Sequence, residues 1–367
     1  MQIDFHHGVT YILARLAGFS REQAQIIAHS AQYVDDATKE GVVKFDNYSM
    51  FRCIASAHKA VDYRNFEALK NHLVWIPFHF LPGNQVSGYK GVPEFVERII
   101  CRPNSEVAQA MVAKCIRDRS HKHSIYRLGI TMHVFADTWA HQGFAGISHP
   151  VNIVNNILNW RGEIDYDLND RVDDFYNRPY WKALVNKFKS VFLKEVAPLG
   201  HGTVLSYPDR PYLKWKYEDF RGHVVERNNP ETYMDAVVHL HKAMGRFLNG
   251  DHRHEPPPMK DHDLATIKEM IEGTTDDDGE IRHQKWLQAI ADGKFSFGAE
   301  SVVYVPTGAG SWRHRALGTE IEDLTEQLFI YSQEFLDSDW KLFHDAISNH
   351  RHVILHELLP EFGLSAA

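Results

Sequence analysis

The stretch LGITMHVFADTWAHQGF, Leu128 to Phe144, sets His133, Asp137 and His141 four residues apart in succession. On a helix, residues at that spacing stack on one face. The row runs about 12 Å at a rise of roughly 1.5 Å per residue. Val134, Phe135, Ala136, Trp139 and Ala140 surround it with apolar surface, so it is expected to face a cleft or the interior. A buried, unpaired carboxylate is costly, and a bound cation removes that cost. Imidazole and carboxylate are ordinary ligands of zinc, manganese and iron. The outer histidines stand two turns apart, so the row is expected to serve neighbouring ions with Asp137 shared.

Around this row nearly every periodic segment reads as helix, and the fold class is mainly α. HHGVTYILARLAGF has helical apolar spacing with Gly18 as its stop, and Ser20 with Gln23 forms a capping box opening REQAQIIAHSAQYVDDA. SMFRCIASAHKAV reads as a third helix, WIPFHFLPGN as a loop, VPEFVERII and SEVAQAMVAKCIRDR as two more helices. Residues 145 to 180 read as a long loop with short helices, YWKALVNKFKSVFLKEV as helix, and the stretch from Pro198 to about Pro211 as irregular. NPETYMDAVVHLHKAMGRFLNG is bounded by Asn229, Pro230 and Gly250. DHRHEPPPMKDHD is the best linker, which divides the chain into a helical metal-binding core, 1–250, and a helical extension packed on it, 251–367. A small extended segment is expected near 296–306, followed by helices from about Thr319 to Glu361.

The chain has 367 residues, 44% hydrophobic and 12% aromatic, enough for a substantial core. A formal charge of −8 argues against a broad nucleic-acid-binding surface. Cys53, Cys101 and Cys115 form no CxxC pair, which argues against a disulfide framework. With no leader pattern and no run of about 18 apolar residues, the expectation is a soluble cytoplasmic protein without a transmembrane segment.

Histidine is the outlier, at 24 residues, and many sit with acids at helix ends. His6 and His7 open the first helix after Asp4, Asp35 and Asp36 close the second, His58 pairs with Asp62, and His79 lies in the proline-rich loop. Helix bundles build metal sites from such convergent side chains. The ligand candidates are therefore His6, His7, Asp36, His58, His79, His133, Asp137 and His141. Asp35 and Asp36 are the candidates for a general base.

LGITMHVFADTWAHQGF resembles the Leu-Gly-x3-His-x3-Asp-x2-Ala-His motif of Het-C-like proteins, which are similar to the zinc-dependent phospholipase C and P1 nuclease group. FHHGVTYILARLAGFSREQAQIIAHSAQYVDD resembles that group's opening pattern. The resemblance covers about residues 1 to 150; the chain as a whole also resembles an uncharacterised bacterial family. It implies a multi-helix bundle holding up to three zinc ions and hydrolysing phosphoesters. His6 or His7 would then be the ligand of the first helix and Asp35 or Asp36 the acid of the second. His58 would match the intermediate histidine, His133 with Asp137 the central pair, and His141 the histidine that follows. Two features depart from that pattern. Secreted members use an N-terminal amine as a ligand; here either Asp4 substitutes for it or that metal position is absent. The later His-x3-Glu pair has no equivalent, with His149 or the reversed Asp235 and His239 as replacements.

The leading expectation is a metal-dependent hydrolase of a small-molecule or lipid phosphoester, with one to three divalent ions, zinc first and manganese or iron as alternatives. Arg127 is a candidate for holding a phosphate oxygen, although a structural ion pair is its ordinary role. Trp312, Arg313 and His314 are more distant participants. One rival is another metalloenzyme, either an HD-type phosphohydrolase, suggested by His262-Asp263 and His344-Asp345, or a non-haem iron or manganese oxygenase. The other rival is a non-catalytic interaction or membrane-acting module with a structural metal.

Overall fold

The computed structural model describes residues 1–58, 68–84, 95–166, 169–170, 199–321, 323 and 327–365. Helix α1 opens as a widened π-helical segment, Asp4–Val9, and continues as Thr10–Ala17. Gly18 ends it in the left-handed region at φ 106°, where a side chain is disfavoured. Helix α2, Arg21–Asp36, starts at the anticipated capping box, Ser20 and Gln23 each bonding the other's backbone N–H. Its Ala24, Ile27, Ala28, Ala31 and Val34 are buried, as their helical spacing predicts.

The segment after α2 departs from expectation. SMFRCIASAHKAV supplies a strand rather than a helix: β1, Gly41–Phe45, and β2, Met50–Cys53, form an antiparallel hairpin. Alternation explains it, since Val43 and Phe45 point inward while Val42 and Lys44 stay exposed. Helix α3, Ala68–Phe78, takes in part of the expected loop, with Pro77 inside its last turn. Asp62 and the helix expected over YWKALVNKFKSVFLKEV lie outside the described residues.

Helices α4, Phe95–Ile99, and α5, Glu106–Arg117, lead to α6, Ser124–Ala140, which carries the central row. Strands β3, Ile157–Leu158, β4, Lys214–Glu218, and β5, Val224–Asn228, make an antiparallel sheet. Helix α7, Asn229–Asn249, follows and stops at Gly250, again left-handed; Asn229 is its first residue rather than its cap. Beyond it come α8, Asp261–Gly273, α9, Gly279–Ala291, α10, Trp312–Leu317, the short strand β6, Leu328–Phe329, and α11, Asp339–His352. Strand β6 pairs in parallel with β1. The stretch 296–306 forms no strand ladder, and most of 319–338 is not α-helical.

The chain is thus mainly helical. Its largest apolar core joins Phe5, Tyr11, Ile27, Phe135 and Trp139 to Trp286, Ile354 and Leu358 from the other end. Each fully buried residue of this kind contributes about 1.5–3 kcal/mol relative to exposure. No helix among the described residues is long and apolar enough to cross a membrane. At the centre α2 and α6 pack closely, and Gly129 makes that possible: a Cβ there would lie 2.6 Å from Ser30 Cβ and would also strike the Ile27 carbonyl. One turn further along α6 stands His133.

Candidate metal centre

Helix α6 delivers its three row members to one buried place, as the four-residue spacing predicts. His133 and Asp137 are fully buried and His141 nearly so. The His6 ring, from the widened turn of α1, stacks on His133 with centroids 3.8 Å apart. Its Nε2 lies 3.2 Å from Asp137 Oδ1. From the end of α3 comes His79, with Nδ1 3.5 Å from Asp137 Oδ2. Asp35, in the last turn of α2, stands 3.8 Å from His79 and 3.9 Å from His133.

Two further members come from the irregular stretch after 198. His141 Nε2 is 3.4 Å from Asp209 Oδ1, and His201 Nε2 is 3.5 Å from Asp209 Oδ2. Three sets of convergent ligand atoms result: His6, His133 and Asp137; Asp35, His79 and His133; His141, His201 and Asp209. His133 belongs to two of them. Asp137 also faces His141, at 3.6 Å from its Nδ1, so it bridges toward the third.

Hydrogen bonding fixes which ring nitrogens are available. A backbone carbonyl only accepts, so each nitrogen bonded to one must carry the hydrogen. His133 Nδ1 donates to Ala31 at 2.8 Å, His79 Nε2 to Ser56 at 2.9 Å, His141 Nδ1 to the His79 carbonyl at 2.7 Å, and His201 Nδ1 to Leu205 at 2.7 Å. In the neutral rings the opposite nitrogens are therefore lone pairs, and they face carboxylates or one another. His133 Nε2 and His79 Nδ1 lie 3.2 Å apart. Lone pairs and carboxylate oxygens gathered in this way repel unless positive charge lies among them. Among the described residues, both His6 nitrogens, Asp137 Oδ2 and Asp209 Oδ1 are buried without hydrogen-bonded partners. The donor set, mixed imidazole and carboxylate with carbonyl-oriented rings, fits a divalent cation such as zinc, manganese or iron.

One positive charge is already drawn there. The Met1 amino group donates to Asp137 Oδ1 at 2.5 Å and lies 3.2 Å from Asp209 Oδ1. Burial opposes its charge, but Asp137, Asp209 and Asp35 together raise its pKa to about 11. Burial would raise the Asp137 carboxyl, yet His141, the Met1 ammonium, His133 and His6 hold it well below the usual range. Burial, His133 and the same ammonium push His6 down to about 3. Burial also lowers His201 to about 4, despite Asp209.

A family model described as a family of unknown function, DUF6765, matches residues 1–358. The chain belongs to DUF6765. No curated protein and no solved structure matches it.

In this DUF6765 chain the other sequence candidates lie elsewhere. His7, the next residue around the widened turn, points away from His6 and bonds His283 on α9, at 2.9 Å. In α2 about 100° of helix turn separates Asp36 from Asp35, and Asp36 accepts from Tyr304 and Gln32. His58 is buried with its ring edge toward Trp75, 6.5 Å between centroids, outside the three ligand sets. Asp4 pairs with Arg282 at 2.6 Å, and the Met1 amine rather than Asp4 reaches the centre. His149 caps a short turn, while Asp235 accepts from the Trp139 indole. Arg127 forms its ordinary ion pair, with Asp118. Arg313 donates to the Glu320 carbonyl, His314 bonds the Ser311 cap, and Trp312 stacks on His29. Of the two HD dipeptides, Asp263 holds Ser296 and Asp345 pairs with Lys341; neither enters a ligand set among the described residues.

His201 and Asp209 are the members the sequence reading missed. They sit eight residues apart in a stretch without period, and two 3-10 turns, Gly202–Val204 and Tyr207–Asp209, bring them together. A histidine and an acid between Gly- and Pro-rich turns were the only available signal.

Proposed function

We propose that the chain is a metal-dependent hydrolase of a phosphoester. The observation that carries this reading is the set of imidazole lone pairs, oriented by backbone carbonyls, that converge with Asp35, Asp137 and Asp209 on one buried centre. His6, His133 and Asp137 would hold one ion and His141, His201 and Asp209 a second; His133 has a single free nitrogen, so Asp35 and His79 would stand beside the first ion rather than hold another with it. Divalent ions there would acidify bound water and set positive charge beside the phosphoryl oxygens. Asp137, which faces His6 and His133 on one side and His141 on the other, would keep the two positions adjacent. The resemblance of the central and opening motifs to Het-C-like proteins and the phospholipase C and P1 nuclease group supports the same chemistry.

Exposure distributes the roles of the acids. Side chains of Asp137 and Asp209 are 1% and 10% exposed, whereas that of Asp35 is 33% exposed. Asp35 therefore marks the side from which solvent and substrate arrive. Its carboxylate would accept the proton of the attacking water. Asp137 and Asp209, enclosed by imidazoles, have a binding role instead.

A purely structural metal is the second reading, favoured by the way the centre ties α1, α2, α3, α6 and the 199–209 segment together. Hydrolysis of bis(p-nitrophenyl) phosphate and thermal melting, each measured before and after chelation, separate the two. The hydrolase reading expects activity to vanish on chelation and return with added zinc or manganese, while the protein stays folded at assay temperature. Absence of metal-dependent hydrolysis of any phosphomonoester or phosphodiester, together with unfolding on chelation, would leave the structural role.

A further inference from the structure

On the other side of the α2 terminus lies a cavity of about 390 Å³, walled by α2, α9, Ile3 and the loop around Tyr304. Its polar lining comprises Gln32, Asp36, Glu280, His283, Gln284 and Tyr304. Two buried polar atoms there have no hydrogen-bonded partner among the described residues: Gln32 Oε1 and His283 Nδ1. Their residues are 6% and 2% exposed. Because the Gln32 amide nitrogen donates to Asp36, its oxygen is left as an acceptor. His283 Nε2 is engaged with His7, and its Nδ1 lies 3.9 Å from Glu280 Oε2, beyond hydrogen-bond distance. Native proteins rarely leave such atoms unsatisfied, and each calls for an explanation.

The chemistry of the lining narrows the ligand. It contains no lysine or arginine, while Asp36 and Glu280 are both acidic, so the cavity repels phosphate. Glu280 stands exposed at the mouth, where water screens its charge. The buried part offers neutral groups, and the Asp36 carboxylate already accepts two bonds. A neutral, hydroxyl-rich molecule supplies both donors and acceptors to these groups without carrying a charge out of water.

We infer that this cavity binds a polyol, a sugar or cyclitol ring, through Gln32, His283, Tyr304 and Asp36. Its position gives the site a purpose. Asp35 faces the metal centre and Asp36 faces the cavity, so adjacent residues of one helix end line both. A polyol in the cavity is therefore the alcohol half of a phosphoester whose phosphoryl group lies at the metal centre. That last role rests on the hydrolase reading; the polyol site itself does not.

The test is ligand-observed saturation-transfer NMR on the full chain with myo-inositol, glucose and glycerol, using choline chloride as the cationic control. At least one cyclic polyol is expected to bind, more tightly than glycerol or choline. Gln32→Leu should weaken it at least tenfold. Val303→Trp, an exposed lining position, should block it without disturbing the interior, with circular dichroism verifying the fold of both variants. Failure of both cyclic polyols to bind, preference for choline, or unchanged affinity in both folded variants would overturn the inference. Binding is read without turnover. A polyol that binds to a protein lacking phosphoesterase activity removes the hydrolase reading alone, and hydrolysis without polyol binding removes the cavity assignment alone.

Discussion

Gly129 and Ser30 meet where α6 crosses α2, so closely that a methyl group on Gly129 would lie 2.6 Å from the serine Cβ. That approach lets His133, one turn on, donate to the Ala31 carbonyl at 2.8 Å. The glycine of the Leu-Gly-x3-His pattern thus sets the orientation of a candidate ligand. Gly129→Ala is expected to destabilise the protein by about 1–3 kcal/mol, the usual cost of overpacking, and to lower metal retention. Denaturant melts paired with elemental analysis check it; unchanged stability and metal content would show that the helices part without consequence.

Asp35 is the exposed acid of the centre and its proposed proton acceptor. Asp35→Asn should reduce kcat by roughly 100- to 10,000-fold, the range for loss of a general base. Because His6, His133 and Asp137 remain, at least one bound ion should persist. Steady-state kinetics and metal analysis on the same preparation measure both quantities. A variant with full activity would exclude Asp35 from the chemistry.

How far the site was legible depends on period. His133, Asp137 and His141 could be placed together because a helix repeats every 3.6 residues and their neighbours are apolar. The adjacent pairs His6 with His7 and Asp35 with Asp36 could not be resolved from sequence, since either member might face inward; the structure turns His6 and Asp35 to the centre. His201 and Asp209 were invisible because turns, unlike helices, impose no fixed spacing. The same limit affected the fold: the alternation in β1 was overlooked, and β6 joins β1 from nearly 300 residues away, a pairing that no local pattern encodes.

His201 and Asp209 bear on one of the two proposed positions only. His201→Ala should therefore lower metal content by about one ion per chain while leaving His6, His79 and His133 in place. Elemental analysis with near-ultraviolet circular dichroism tests this. Complete loss of metal would mean that the positions fill as a unit, and no loss would remove the His201 position.

Three buried histidines outside the centre make stability depend on pH. Burial lowers His29, His344 and His350 to about 3, below the ordinary value of about 6.5. Between those values the unfolded chain binds protons that the folded chain refuses, so stability falls as pH falls. Their contribution is fully present above about pH 6.5 and declines from there toward pH 3. The slope is about 1.4 kcal/mol per pH unit for each histidine. Urea melts from pH 7.5 to 4.5 should show midpoints dropping steadily below pH 6.5, and His344→Phe should flatten the decline.

The central claim is that the imidazoles and carboxylates around His133 and Asp137 enclose metal ions. Anomalous diffraction from crystals of untreated protein, collected on both sides of the absorption edge of the metal found by fluorescence, tests it directly. The account predicts at least one strong peak within bonding distance of His133 and Asp137, with neighbouring peaks toward His79 or His201. A map without anomalous density there, in crystals grown with added zinc and manganese, would contradict it.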